Sequence, residues 1–510
     1  MTDWTAGYMA DIPYTYGYYR ELNPLAIQLA FLHAGLALPA QGTACELGFG
    51  QGVSVNLHAA ASVTRWYGTD FNPAQAGFAQ QLAAAAGTDV RLFDQSFDEF
   101  CKRADLPNFD FIALHGIWSW ISDENRAIIV DFIRRKLNVG GVVYVSYNTQ
   151  PGWATMIPMR DLLSEFSETM AAPGQGIVTR IDHALDFADR LMATDPIYAR
   201  QAPHVAQRLA SMREQDRSYL AHEYFNRDWA PMSFSQMAKW MAPAKLEYAA
   251  SGHYLDPIES INLSTAQQQL LNEIPNSTLR ETTRDFMINQ PFRRDYWVKG
   301  KRALSALDQA EALRRYRVVL VTARDKVTLS VKGRANEAAL AEHVYGPILD
   351  LLADHQPRSI GQIEAMVPGL GFGALVQAVM VLSGKHDLAA AQEEQAIAQA
   401  RPYCDKINAS LMDMSRGGTV SICLASPVTG GGVVVGRFEQ LFLLARRQGM
   451  QAPRDWARFV WELLAAQGHR LSKEGRTIES DDGNIAELAE MAELFAAQEL
   501  PVLKALGVAA

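Results

Sequence analysis

Three glycines stand at alternate positions in the stretch ACELGFGQG, residues 44–52, just behind Glu46. Backbone that bare admits a ligand that any Cβ would push away, and two ligands commonly need it: a dinucleotide and S-adenosylmethionine. The dinucleotide fingerprint G-x-G-x-x-G asks for its third glycine at position 53, which is Val53; the third glycine is Gly52. In a strand–turn–helix, Gly48, Phe49, Gly50 and Gly52 would cradle the ligand, and the first amides of the helix would suit a carboxylate. Glu46 is placed to accept from a ligand ammonium. Asp70, 20 residues after Gly50, ends the next strand, where an acid takes both ribose hydroxyls. Phe71 beside it offers a ring to an adenine face. Asp94, followed by Gln95, ends the third strand within reach of an adenine amino group. Three acids at successive strand ends converge on one side of a sheet.

The elements that must position these residues are legible between 42 and 150. Short apolar runs at TACELGF, WYGTDF, DVRLFD, FDFIALH and GGVVYVSYN alternate with helical patterns at 53–62, 73–86, 96–103 and 123–137. Asn72 before Pro73 has the form of a helix cap, and Ser122-Asp123-Glu124 opens a helix that Asn138 to Gly141 should stop. This rhythm predicts an α/β, doubly wound sheet with its ligand beyond the carboxyl ends of the strands. Residues 154–242 read as helical. AKLEYAAS and RRDYWVKG could supply two further strands.

Past residue 300, YRVVLVTARDKVTLSVKG reads as a hairpin-like strand pair, followed by helices in a winged-helix-like order. Residues 341–395 hold only Arg358 and Lys385 against seven acidic side chains, an arrangement poorly suited to phosphate contacts. The alanine-rich tail from Glu479 is expected to pack on this module. The whole chain, 510 residues long and 48% hydrophobic, is long enough for two or three domains and carries a net charge of -9. That balance disfavours general nucleic-acid or anionic-membrane binding. Four widely spaced cysteines suggest neither a zinc site nor a disulfide framework, and no signal peptide or membrane span is read, so a soluble cytoplasmic protein without a metal is expected.

The turn E-x-G-x-G-x-G resembles motif I of the class I S-adenosylmethionine-dependent methyltransferases. Two longer stretches are more specific. His115, Gly116, Ser119 and Trp120 in HGIWSW, then Tyr144 to Trp153 in YVSYNTQPGW, resemble the class I methyltransferases with a methyltransferase regulatory domain, a group that includes rickettsial protein-lysine methyltransferases. YLAHEYFNRDWAPMSFSQMA and FRRDYWVKG resemble that family's regulatory and closing segments. The resemblance implies a Rossmann-like sheet at 42–153 and 243–300, with an N-terminal segment, 1–41, folding over the cofactor. It also implies a helical insertion at 154–242 for regulation, substrate or dimerisation, and a mainly helical C-terminal regulatory or interaction module at 301–510. The N-terminal YTYGYYRELNP departs from the family's pattern, so contacts of Tyr14, Tyr16, Tyr18, Tyr19 and Arg20 are not carried over.

The chemistry so implied is methyl transfer from S-adenosylmethionine, an in-line displacement that needs an aligned nucleophile and excluded water. Trp118, Trp120, Tyr147 and Trp153 are expected at the mouth of the site, where aromatic faces guide an ammonium and penalise its charge. Asn148 would orient the amine or hold the cofactor's amino group. His115 is the only candidate general base in these motifs and also a neighbour of the cofactor. A lysine amine of a protein or peptide is the expected acceptor, and a homodimer is a candidate assembly. The alternatives are a small-molecule N- or O-methyltransferase and a non-catalytic cofactor-sensing scaffold, with a nicotinamide dehydrogenase third.

Overall fold

Seven strands form one sheet in the order β3-β2-β1-β4-β5-β7-β6 in the computed structural model, which describes residues 16–170, 172, 174–418 and 421–509. These are β1 (Thr43–Leu47), β2 (Arg65–Asp70), β3 (Arg91–Asp94), β4 (Phe109–Leu114), β5 (Leu137–Asn148), β6 (Leu246–Ser251) and β7 (Phe292–Lys299). The first five run parallel, and β7 is antiparallel to both β5 and β6. AKLEYAAS and RRDYWVKG thus supply the last two strands, as expected.

Helices α1 (Pro24–His33), α2 (Val53–Ala61), α3 (Pro73–Ala86), α4 (Phe97–Cys101) and α5 (Asp123–Lys136) flank this sheet. Asn72 caps α3 through its side-chain oxygen, with Pro73 pre-set at the first position. Ser122 caps α5. Asn138 to Gly141 does not stop that helix; β5 begins at Leu137 and includes the whole stretch. Alternation along β5 sends Val143, Val145 and Tyr147 to one core, with Phe100 and Phe132. Val142 and Tyr144 go to the other, with Trp66 and Phe111.

Between β5 and β6 the helices from Ile157 to Tyr224 enclose a core of their own, built on Trp153, Leu163, Ile181 and Tyr224. The hairpin expected after residue 300 is not formed. Val318, Val319 and Leu320 of β8 (Arg317–Leu320) are fully buried, so this strand takes a neighbour on each side. Those neighbours are β11 (Arg358–Ser359) and β12 (Leu388–Ala390), while β9 (Ser330–Lys332) pairs with β10 (Glu337–Ala339).

The C-terminal half holds two cores. One joins residues 313–388 to Leu29 and Leu32 of α1. The other joins Ile397 to Val508 with Val53 and Leu57 of α2 and Leu82 of α3. The tail helix Asp481–Leu494 belongs to this second core, buried through Leu488 and Ala492 beside Trp456 and Val460, and not to the acidic helices of 341–395. Its small apolar stripe matches the strongly amphipathic helix Pro453–Ala466.

Candidate active site

The turn after β1 is held by its glycines. Gly48 and Gly52 have φ of +74° and +68°, and a Cβ at Gly48 would stand 2.7 Å from Ile117. Asp70 braces the turn: its Oδ2 accepts the amide of Gly50 at 2.8 Å and its Oδ1 that of Asn72 at 3.0 Å. In front of the turn is a cavity of about 170 Å³. Its wall includes Glu46, Phe49, Asp70, Phe71 and Gln95, together with His115 and Trp120.

Two buried acids face this space. Glu46 is 2% exposed, and among the described residues its Oε2 has no hydrogen-bond partner. Burial, and then the nearby Asp70, push its carboxyl up to about 8. Burial also lifts Asp70 to about 7, against the two amides that favour its ionised form. Buried carboxylates left short of donors suit a ligand that brings a cation and hydroxyls. The glycine cradle and the orphaned Oε2 therefore fit a ligand that carries an ammonium and a ribose.

His115 lies under the N-terminal segment. Its ring stacks on Tyr19, with centroids 3.5 Å apart and planes 24° apart, and its Nδ1 is 2.9 Å from the Tyr144 hydroxyl. Burial, and then Arg294, lower its pKa to about 3. The ring is thereby held in its neutral form near pH 7.

A sequence family described as "Predicted methyltransferase regulatory domain" matches residues 216–299. A Synechocystis protein, sll1526, is 39% identical over 512 residues, covering 99% of each chain. The chain belongs to the methyltransferases that carry this regulatory domain. A Rickettsia prowazekii protein, RP789, is 25% identical over 294 residues, 56% of this methyltransferase and 51% of the rickettsial chain. The fold is similar to that of PKMT2 from Rickettsia typhi in complex with AdoHcy, with a TM-score of 0.68, 17% identity and coverage of 97% and 99% of the two chains.

The methyltransferase's regulatory match runs through β6 and β7 and so includes the last two strands of the sheet. It also reaches the cavity. Ala230 donates its amide to the Ser119 carbonyl at 2.8 Å, and Asp228 stands in the wall.

Several residues expected at the mouth are elsewhere. Trp118 is fully buried, edge-on to Trp240, and accepts Arg126 Nε at its carbonyl. Tyr147 points to the opposite side of β5 from Tyr144 and donates to Asp295 at 2.8 Å. Trp153 anchors the insertion's core, between Tyr224 and Trp229 and under the Arg208 guanidinium. Of the four aromatics, only Trp120 lines the cavity. Asn148 is buried and is not in the cavity wall; its backbone N–H donates to Ser119 Oγ, and its side-chain Nδ2 has no partner among the described residues. Asp94 is exposed at the end of β3 and does not line the cavity, whereas Gln95, one residue on, does.

Sequence reasoning missed Tyr19, Asp98, Asn125 and Asp228 as lining residues. Tyr14 lies outside the described residues. Among the described residues no group of three His, Cys, Asp or Glu side chains is arranged to hold a metal, and no helix is long and apolar enough to cross a membrane.

Proposed function

We propose that this methyltransferase uses S-adenosylmethionine and methylates a lysine amine of a protein or peptide. The observation that carries the cofactor reading is Glu46 Oε2, without a partner among the described residues and buried beside a glycine turn that Asp70 braces. In this reading Glu46 holds the amino-acid ammonium, Asp70 the ribose hydroxyls, and Phe71 and Gln95 the adenine. S-adenosylmethionine supplies a sulfonium methyl for in-line displacement. Tyr19, Ile117 and Trp120 keep water from the reacting end, since they are the bulky groups of the wall near His115. Neutral His115 shapes that wall.

The lysine reading draws support from the family resemblance and from the acids at the cavity. Asp98 and Asp228 stand in the wall with Asn125, and carboxylates there draw in an ammonium. The amine gives up its proton to solvent as it passes from those acids to the apolar faces of Ile117 and Trp120, where the charged form is disfavoured.

The test is transfer of tritiated methyl from labelled S-adenosylmethionine into fractionated bacterial lysate, followed by acid hydrolysis and amino-acid analysis. Label in methyllysine is the expected result. Label confined to small molecules or to other residues would replace the acceptor, and no transfer to any fraction would favour a cofactor-sensing scaffold.

A further inference from the structure

The segment from Tyr16 to Asn23 separates two cavities. Its backbone is extended at Tyr19, with φ -122° and ψ 105°, so successive side chains face opposite ways. Gly17 and Tyr19 line the cofactor cavity. Tyr18 and Arg20 line a second cavity of about 190 Å³, where the strand Gly431–Val434, the β8–β12 sheet edge and the turn after β6 meet. The strap is fastened on that side: Asn23 Nδ2 donates to the Thr429 carbonyl at 3.0 Å, and Tyr18 packs against Gly432.

The second cavity has the chemistry of an anion site. The Arg20 guanidinium makes no hydrogen bond or ion pair among the described residues. Ser383, 5% exposed, has an Oγ with no partner among the described residues. Glu21, the acid in the wall, is answered by Arg294 at 3.3 Å, and His253 is held by Asp256. His386 in the wall is depressed to about 4 by burial first and then by Arg20, His253 and Arg294, a sign of the positive field there. Arg20 and Ser383 together offer the pairing for one carboxylate or phosphate group.

We propose that this junction is a second ligand site, for a small anion bearing a carboxylate or phosphate that pairs with Arg20 and Ser383, and that filling it steadies Tyr19 over the cofactor cavity. Guanidinium forks match both groups, and one continuous strap carries Arg20 and Tyr19 in adjacent positions. The coupling rests on the cofactor reading above; the anion site itself does not.

Calorimetric titration of the full chain with inorganic phosphate and with succinate, at fixed ionic strength set by sodium chloride, tests the site. Saturable binding of one of them is expected, weakened about tenfold or more by Arg20→Ala and by Ser383→Ala. Arg20→Lys should retain part of it, and thermal melts without the anion should show that all three variants fold. No saturable binding of either probe, or binding unchanged in both alanine variants, would overturn the site. A saturating anion should also tighten S-adenosylmethionine by about fivefold or more in the wild type and not in Arg20→Ala. Anion binding with unchanged cofactor affinity would overturn the coupling.

Discussion

Asp70 accepts the amide N–H of Gly50 at 2.8 Å, so the carboxylate that faces the cavity also fixes the turn that shapes it. Ligand binding and local stability are therefore joined at one side chain. Asp70→Ala should weaken S-adenosylmethionine and its demethylated product by about 10- to 100-fold and lower stability by about 1–3 kcal/mol, the cost of leaving the half-buried amide of Gly50 and the buried amide of Asn72 unpaired. Calorimetry and thermal melts on one preparation check this. Loss of stability with unchanged affinity would leave Asp70 as a brace alone.

Glu46 gives the binding a pH dependence of defined sign. With its carboxyl raised to about 8, Glu46 is largely protonated at pH 6 in the free protein and must lose that proton to hold an ammonium. Affinity for S-adenosylmethionine should therefore rise from pH 6 toward pH 8, with proton release on binding, until the ligand's own α-amino group begins to titrate at about 8. Asp70, at about 7, acts in the same direction. In the free protein both groups bind more protons folded than unfolded, so their contribution to stability falls as pH rises from the ordinary carboxyl range to about 8. Titrations in buffers of different ionisation enthalpy measure the released proton. Glu46→Gln should flatten the profile, and a flat wild-type profile would contradict the assignment.

Two neighbouring tryptophans should behave oppositely. Trp118→Ala opens a cavity in the core against Trp240 and should cost about 3–5 kcal/mol. Trp120→Ala removes a wall of the cofactor cavity and should reduce methyl transfer by about 100-fold through lost alignment, with most cofactor affinity kept. Thermal melts and single-turnover rates on both variants separate them. Equal destabilisation with equal rates would return Trp120 to the core.

The regulatory segment is tied to the sheet by a buried charge cluster. Arg293 pairs with Asp285 at 2.6 Å, Glu281 at 2.9 Å and Asp295 at 3.0 Å, and Tyr147 donates to Asp295. Arg293→Met would leave three carboxylates without their cation and should destabilise by about 3–5 kcal/mol, partly recovered at low pH where they protonate. Chemical denaturation at pH 5.5 and pH 8 checks both parts.

What was legible in the sequence follows the range of the physics. The turn from Glu46 to Gly52 and the cap at Asn72 are local backbone chemistry, readable from residue type and spacing, whereas the bond from Gly50 to Asp70 emerged only with the fold. The last two strands were legible from their strand character and from the strand count of the family they resemble, but the reversed direction of β7 was not. The aromatic mouth was misread because proximity in sequence says nothing of which face a side chain takes. Tyr147 lies on the far side of β5 from Tyr144, and Trp153 begins a separate core. Asp94 and Gln95 differ by one position at a strand end, enough to exchange solvent for cavity. Asp228 was out of reach because only the tertiary fold returns its loop to Ser119. The split of the C-terminal half into two cores was hidden for the same reason: Leu29 and Leu57 are their partners, far back in the chain.

The most direct measurement of the central claim is calorimetric titration of the purified full chain with S-adenosylmethionine, set against nicotinamide dinucleotides. One saturable site for S-adenosylmethionine is predicted, weakened by Glu46→Gln at pH 8, with no heat from the dinucleotides. Silence toward S-adenosylmethionine, or dinucleotide binding that Glu46→Gln abolishes, would contradict the account.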